Sequence, residues 1–449
     1  MTNLNKTPLE NWIKAKIGLN PENSLTEQAL AAYQLEKLQE TLAYVLKFSP
    51  FYRKLFSGLP KHPVSCLEDL AKLPMTRADD ICKNPMQFLC VSQSHIARAV
   101  TLQTSGTTNA PKRLFFTDAD LELTVDFFHH GMSGIVRPGQ KVLILMPGDS
   151  PESVGDLLVK ALARMDVQGI VHGIVHDPEK TVREIIRLKI DSLVGIPAQV
   201  LSLVRHPAKE MIEPGAVRSV LLSSDYVPNA IVSEIRRVWG AKVFQHYGMT
   251  ETGLGGGVEC SALSGYHLRE ADILYEIVSP ETGKPVDRGQ TGEVVFTTLT
   301  REGMPLVRYR TGDTASFITA PCPCNTILRR MAKVQGRMGN TVKIGGSLQI
   351  SLMAMDEAVF AVPGVMNYAV EIRQARGIDY LKIIIHALPK DQAAALSEVR
   401  QVILDLPKIR AVTAQGLLRI DFHGQTPNNQ PLNGAAKRQI IDHRKENKD

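Results

Sequence analysis

Thr104, Ser105, Gly106, Thr107 and Thr108, closed four residues later by Lys112, have the composition of a turn that grips phosphate. Gly106 lets the backbone approach an anion closely, the hydroxyls of Ser105, Thr107 and Thr108 add donors beside the backbone N–H groups, and Lys112 brings a mobile positive charge. The apolar residues 99–102 predict a strand, so the turn is expected where α/β proteins place ligand loops. It is not a P-loop, since the G-x-x-x-x-G-K-[ST] spacing is absent. A second stretch, Gln245-His246-Tyr247-Gly248-Met249-Thr250-Glu251, also follows an apolar run. Tyr247 can stack on a base, and Glu251 can hold Mg²⁺, which is commonly bound through one or two carboxylates plus substrate phosphates. A third, Tyr309-Arg310-Thr311-Gly312-Asp313, offers Asp313 to ribose hydroxyls, and Arg337 adds a planar cation suited to phosphate or ribose oxygens. Each stretch alone also fits a tight turn or a surface ion pair. Their conjunction points to a nucleotide.

The elements that must position these residues follow from length and pattern. A chain of 449 residues, 44% hydrophobic and 22% charged, predicts a protein of two or three domains with a large core. Residues 25–56 carry a helical repeat (Ala31, Leu35, Leu38, Leu42, Val45) interrupted by Pro50, which predicts an N-terminal cap of helices. From Lys141 onward, apolar runs at 142–146, 193–196, 217–222 and 241–244 alternate with amphipathic stretches such as 154–165 and 230–238, as in stacked βα units with a largely parallel sheet. Between residues 273 and 318 close-spaced strands, including 292–299 and 306–309, predict an antiparallel subdomain. After about Gly336 a smaller unit is expected, with helices near 351–360 and 391–404, strands at 368–373 and 381–387, and a polar, charged tail.

No apolar run approaches the roughly 18 to 20 residues of a membrane span, and the N-terminal residues lack the apolar core of a signal peptide, so a cytoplasmic protein without a membrane partner is expected. The net charge of +6 is spread along the chain, which suits an enzyme of anions and implies no nucleic acid. Six cysteines are too few and too uneven for a secreted disulfide scaffold. Four soft ligands, Cys260, His267, Cys322 and Cys324, could instead form a tetrahedral zinc site, although they read equally as ordinary residues of a small core. Cys66, Cys82 and Cys90 read as apolar thiols.

In this order, the nucleotide motifs resemble the adenylate-forming superfamily of acyl-CoA synthetases, adenylation domains and luciferases. Glu259-Cys260, Gly265-Tyr266-His267, the run Thr297-Thr298-Leu299-Thr300-Arg301-Glu302-Gly303-Met304-Pro305-Leu306 and Pro321-Cys322-Pro323-Cys324 resemble its phenylacetate-CoA ligase branch, in which comparable Cys/His sets favour structural zinc. The resemblance implies an α/β fold: a large N-terminal domain, residues 1–334, with parallel-sheet α/β layers plus an antiparallel β subdomain, and a small mobile α+β C-terminal domain, residues 335–449. It implies that Thr104 to Thr108 and Lys112 hold the ATP phosphates, and that Ser224, Asp225 and Tyr226 flank adenine. His246, Tyr247, Gly248, Met249 and Thr250 would line the nucleotide and acyl sites, Glu251 would bind Mg²⁺, Asp313 the ribose, and Arg337 would sit near the domain junction. Lys437 falls where the family places its swinging adenylation lysine, although Leu432-Asn433-Gly434 keeps only part of the usual setting. The hinge departs too, with Gly339 and Asn340 where an Asp is common, and the loop has Asn109 where glycine is usual.

The implied function is an ATP-dependent carboxylate-CoA ligase that forms an acyl-adenylate, most naturally of an aryl or arylacetic acid, with ATP, Mg²⁺ and coenzyme A and with homodimerisation left open. The alternatives are transfer to a non-CoA acceptor, such as deazaflavin adenylylation, and a non-catalytic nucleotide-binding regulatory protein. His246 is expected to line the pocket without acting as a base, since a carboxylate is already ionised at neutral pH. The run Gly253-Leu254-Gly255-Gly256-Gly257 either leaves room for a bulky acyl group or permits a tight backbone course.

Overall fold

Local signals in the sequence set the element boundaries seen in a computed structural model that describes residues 4–20, 22–60, 63–102, 111–338, 341–346, 348–426, 438 and 440–445. Thr26 caps the helix Glu27–Phe48 by accepting from Ala29 N. Ser49 ends that helix and caps the next, Pro50–Leu55, with Pro50 in the first turn, where its missing N–H costs nothing. The chain divides into two compact units, residues 1–138, 156–167 and 244–335 in the first, residues 139–155, 168–243 and 336–449 in the second.

In the first unit, the N-terminal helices bury Leu38, Leu42, Val45 and Tyr52. The Tyr52 hydroxyl accepts from Val307 N at 2.8 Å, fixing the segment that enters the last of three consecutive strands of an antiparallel sheet. That sheet includes, in order, Ile273–Val278, Gly292–Thr298 and Tyr309–Ala315. The strand expected at 306–309 begins only at Tyr309. Arg308 adopts a positive φ of 46° and sends its buried guanidinium to Glu276 (2.9 Å) and to the carbonyls of Ala71, Leu73 and Gly283. The anchored arginine therefore sets where the strand starts.

The strand expected at 99–102 is present as Arg98–Leu102, but it pairs antiparallel with Lys112–Phe116, Leu102 opposite Lys112. The phosphate-type turn is thus the connection of a hairpin and does not follow a parallel strand. Residues 104–109 themselves lie outside the described residues. The hairpin leads into the helix Asp118–Met132, capped by Thr117 in a capping box with Asp120. Asp120 also accepts from the backbone N–H groups of Glu302 and Gly303 at 2.8 and 3.0 Å, so it secures the segment that carries Arg301.

The second unit contains the parallel layer, in the spatial order Gln168–Val171, Lys141–Leu145, Ser192–Gly195, Ser219–Leu222. The last two strands are buried at every position, the mark of strands covered on both faces. Their two polar residues satisfy each other through a 2.7 Å Ser192–Ser219 hydroxyl bond. The helix Asn229–Trp239 buries Ile231, Ile235 and Trp239 one turn apart and stops at Gly240, which takes a φ of 66°. Leu143, Leu193, Val220, Ile231 and Trp239 share one core with Tyr368 and Ile383.

The C-terminal part of this unit has the order Leu418–Gln425, Ile378–Ala387, Val365–Ala375, Ile440–Asp442. Only the central pair is antiparallel. Helices Leu352–Val359, Gln392–Asp405 and Pro407–Ala414 accompany it. The stretch read as a polar tail therefore contains two strands. Leu418, Ile420 and Phe422 alternate with Arg419 and Asp421, a short period-2 signal that charge conceals. Among the described residues, no helix is long and apolar enough to cross a membrane.

Candidate active site and cysteine–histidine cluster

At the start of the second hairpin strand, Lys112 turns into the first unit and is only 6% exposed. Its Nζ donates to Glu251 Oε1 and, at 3.3 Å, to the Tyr309 hydroxyl. Tyr309 OH in turn donates to the same Glu251 oxygen at 3.0 Å. Glu251 is 3% exposed. Burial pushes its carboxyl up, but the charge and hydrogen bond of Lys112, with the Tyr309 bond, bring the net shift below the ordinary range. Glu251 is therefore an anion at neutral pH, held by one cation and one phenol.

Local chemistry places that carboxylate. The strand Lys242–Tyr247 ends at Gly248, where a Cβ would fall 2.4 Å from Leu254 O and 2.7 Å from His246 Cε1, so only glycine fits. The short turn Thr250–Thr252 follows, closed by Thr252 Oγ1, which accepts from Met249 N at 3.1 Å, and by Gly253 at a φ of 68°. Arg301 Nη1 donates to the Glu251 carbonyl at 2.7 Å. Its guanidinium lies 4.3 Å over the Phe116 ring, tying this turn to the hairpin.

The strand Tyr309–Ala315 alternates strictly, with Tyr309, Thr311, Asp313 and Ala315 on the buried face. Asp313 Oδ2 accepts from Tyr247 OH at 3.2 Å, and Asp313 N donates to Thr311 Oγ1 at 2.9 Å. Burial and the Asp313 charge raise the Tyr247 phenol far above its usual value, so it remains a donor. The structure thus brings Lys112, Glu251, Tyr247 and Asp313 into one unit, on three strands and the turn that follows one of them. Tyr309 and Arg301 stand in the sequence motifs with no role that the sequence alone assigns. The period-2 spacing of Tyr309 and Asp313 is the signal that would have found Tyr309.

His246 sits among Phe127 and Phe128, with ring centroids 6.1 and 6.3 Å away. Burial pushes its imidazole down to about 4, so it is neutral at pH 7 and suited to lining a pocket. The glycine run now has one reading. A Cβ on Gly255 would lie 2.3 Å from Phe127 Cδ1 and one on Gly256 2.6 Å from Tyr275 OH, so these glycines permit a tight course between filled neighbours.

Ser224, Asp225 and Tyr226 belong to the second unit, just past the strand Ser219–Leu222, at the strand end where open α/β sheets bind ligands. Ser224 holds a φ of 75°, a conformation that costs a non-glycine residue about 1–3 kcal/mol and clusters at functional sites. Asp225 Oδ1 accepts from Tyr226 N at 2.8 Å, and Tyr226 OH donates to Glu357 Oε1 at 2.6 Å. Arg337 lies in the short strand Gly336–Arg337. Lys437, Gly339 and Asn340 lie outside the described residues.

Cys260 follows the strand Gly257–Glu259, His267 lies in Tyr266–Leu268, and Cys322 and Cys324 lie in the loop before Arg330–Met331. Register brings them together: His267 pairs with Val258 on one side and Arg330 on the other. All four are buried, with their ligand atoms within 4.8 Å of one another. Sγ of Cys260 and Cys322 are 3.7 Å apart, and His267 Nε2 is 3.4 Å from Cys322 Sγ and 3.6 Å from Cys324 Sγ. Bonds of about 2.3 Å to sulfur and 2.0–2.1 Å to nitrogen give a zinc tetrahedron edges of about 3.6–3.8 Å. These three separations lie close to that figure, and no disulfide competes for the thiols. A second His/Asp group, Asp126, His129 and His130, is more exposed. Asp126 there already takes the Trp12 indole N–H at 2.7 Å and faces Lys16 at 3.9 Å.

The family described as AMP-binding enzyme matches residues 68–299, more than half of the chain. The phenylacetate-coenzyme A ligase of Thermus thermophilus is 29% identical over 79% of this chain and 81% of its own. That of Pseudomonas putida is 26% identical over 87% and 89%. The crystal structure of a 2-hydroxyisobutyryl-CoA ligase in its postadenylation state, in complex with 2-HIB-AMP, superposes with a TM-score of 0.77 over 95% of this chain and 94% of that one. At 20% identity that likeness concerns the fold.

Proposed function

Because this chain belongs to the AMP-binding enzyme family, we propose that it is an ATP-dependent ligase that joins a carboxylic acid to coenzyme A through an acyl-adenylate, releasing pyrophosphate and then AMP. The buried Lys112–Glu251 pair carries the proposal, because it sets a cation for phosphate beside a carboxylate for Mg²⁺ in one nearly dry site. The names of the curated relatives support an aryl or arylacetic acid as substrate.

The substrate carboxylate attacks the α-phosphorus of ATP, forming the acyl–O–P bond as the α–β bridging bond breaks and pyrophosphate departs. Both reactants are anions, so the protein contributes cations, oriented donors and proximity. Lys112 draws the phosphates in, Asp313 accepts from ribose hydroxyls, and Tyr247, held by Asp313, gives the nucleotide a fixed aromatic wall. Tyr226 and Asp225 flank adenine, Arg337 supports the nucleotide oxygens, and Thr104 to Thr108 wrap the phosphates. Mg²⁺ bound by Glu251 would neutralise the phosphate oxygens. No side chain has to take a proton from the acid, and neutral His246 is suited to packing against it. In the second half-reaction the coenzyme A thiolate attacks the acyl carbon and AMP leaves. Residues 335–449 are proposed to rearrange between the two steps, bringing Lys437 to the phosphates in the first. Cys260, His267, Cys322 and Cys324 would hold a structural zinc ion. A cytoplasmic setting, which keeps the six free thiols reduced, belongs to the same proposal.

Pyrophosphate release against aryl, arylacetic and aliphatic acids, with and without coenzyme A and with the product weighed by mass spectrometry, tests the reading. Acid-dependent pyrophosphate and a thioester are expected, and Lys437→Ala should lose the first while still converting a supplied acyl-adenylate. Pyrophosphate without a thioester would assign another acceptor. ATP binding without turnover on any acid would overturn the enzyme.

A further inference from the structure

Two donors converge on Glu251 Oε1, and they differ in how firmly each is held. Lys112 reaches it through four methylenes from the residue that leaves the hairpin loop. Tyr309 is fixed in a sheet: its backbone pairs with Phe296 on one side and bridges Thr76 on the other, and its ring packs 5.4 Å from that of Phe296. When a triphosphate binds, the ammonium group is the one drawn away toward phosphate oxygens. A carboxylate at 3% exposure left with no donor would turn to find another.

We propose that Tyr309 is a positioning residue for the metal-binding carboxylate. Its hydroxyl, 3.0 Å from Glu251 Oε1, keeps that oxygen in place while Lys112 leaves, so that the carboxylate faces the incoming Mg²⁺ already oriented. Arg301 performs the corresponding task on the backbone, holding the Glu251 carbonyl at 2.7 Å. The division of labour is one mobile cation and two fixed donors. This inference rests on the reading of Glu251 as the Mg²⁺ ligand.

The test is ATP binding by calorimetry across a Mg²⁺ series, together with pyrophosphate release at saturating ATP and acid, for the wild-type protein and Tyr309→Phe. The substitution keeps the ring against Phe296 and removes one hydrogen bond to a charged group, a loss of about ten- to a hundredfold. The expected result is that Tyr309→Phe needs about tenfold or more Mg²⁺ for the same ATP affinity. Binding of metal-free ATP is unchanged, and kcat recovers to within about threefold of wild type at saturating Mg²⁺. An unchanged Mg²⁺ requirement with a lowered kcat, or equal weakening with and without metal, would overturn it and leave Tyr309 a packing residue. In the Glu251→Gln background there is no carboxylate to orient, so adding Tyr309→Phe should not raise the Mg²⁺ requirement further. An additional rise there would also overturn the proposal. A wild-type protein that binds ATP equally with and without Mg²⁺ would instead refute Glu251 as a metal ligand, a failure distinct from that of Tyr309.

Discussion

Replacing Lys112 by methionine should add to the protein's pH–stability profile a loss that grows as pH rises from 5 to 8 and that the wild type lacks at this site. In the wild type the Glu251 carboxyl is held below its ordinary range, so its contribution is fully present above the unfolded value of about 4.3 and is lost only as pH falls through the lowered folded value. Lys112→Met removes the cation and leaves burial as the dominant influence. The folded-state value then moves above the unfolded one, and stability is lost as pH rises through the interval between them. With both side chains less than a tenth exposed, breaking the pair costs about 3–5 kcal/mol at pH 8, or about 6–20 °C in melting temperature for a unit of this size. At pH 5 part of that loss returns, because a protonated Glu251 needs no cation. The double substitution Lys112→Met/Glu251→Gln should recover most of the stability and remove the added pH dependence, since two neutral partners replace an orphaned charge. Melting curves of the three proteins from pH 5 to 8 decide the matter. A uniform loss across pH, or a double variant as weak as the single one, would show that Lys112 matters through packing and not through its charge.

Zinc in the purified protein should be near one equivalent and fall sharply in Cys322→Ser, with a lowered melting temperature because the loop between Phe317–Ile318 and Arg330–Met331 loses its clamp. Less than about a tenth of an equivalent in the wild type would sink the metal assignment. Gly255→Ala should cost about 1–3 kcal/mol, since its Cβ would lie 2.3 Å from Phe127 Cδ1. A variant of unchanged melting temperature that prefers smaller acids would show that the glycine run makes room for substrate.

Elements whose causes are local were legible in the sequence. The helix Glu27–Phe48 carries its own cap and apolar stripe, the break at Pro50 is intrinsic to proline, and the wholly buried strands Ser192–Gly195 and Ser219–Leu222 announce themselves as apolar runs. Elements fixed by distant partners were not. The start of the strand Tyr309–Ala315 depends on Arg308 finding Glu276 and three carbonyls far along the chain. The strands after Leu418 depend on neighbours that cover one face of a charged segment.

The candidate site divides the same way. The sequence by itself determined the chemistry on offer: a lysine after a hydroxyl-rich turn, a glutamate and tyrosine after a strand, an aspartate four residues beyond a second tyrosine, and four soft metal ligands. Residue type and short-range spacing carry that information. Only the tertiary structure decided that Lys112 and Glu251, 139 positions apart, share one buried contact with Tyr309. It likewise brought Cys260 and His267 to the loop of Cys322 and Cys324 with their ligand atoms within 4.8 Å of one another, and packed the glycine run against Phe127 and Tyr275. Spacing along a chain fixes which groups can meet within one turn or strand. Pairing register and burial, which act between segments, fix which charges are brought together out of water and therefore which of them must hold one another.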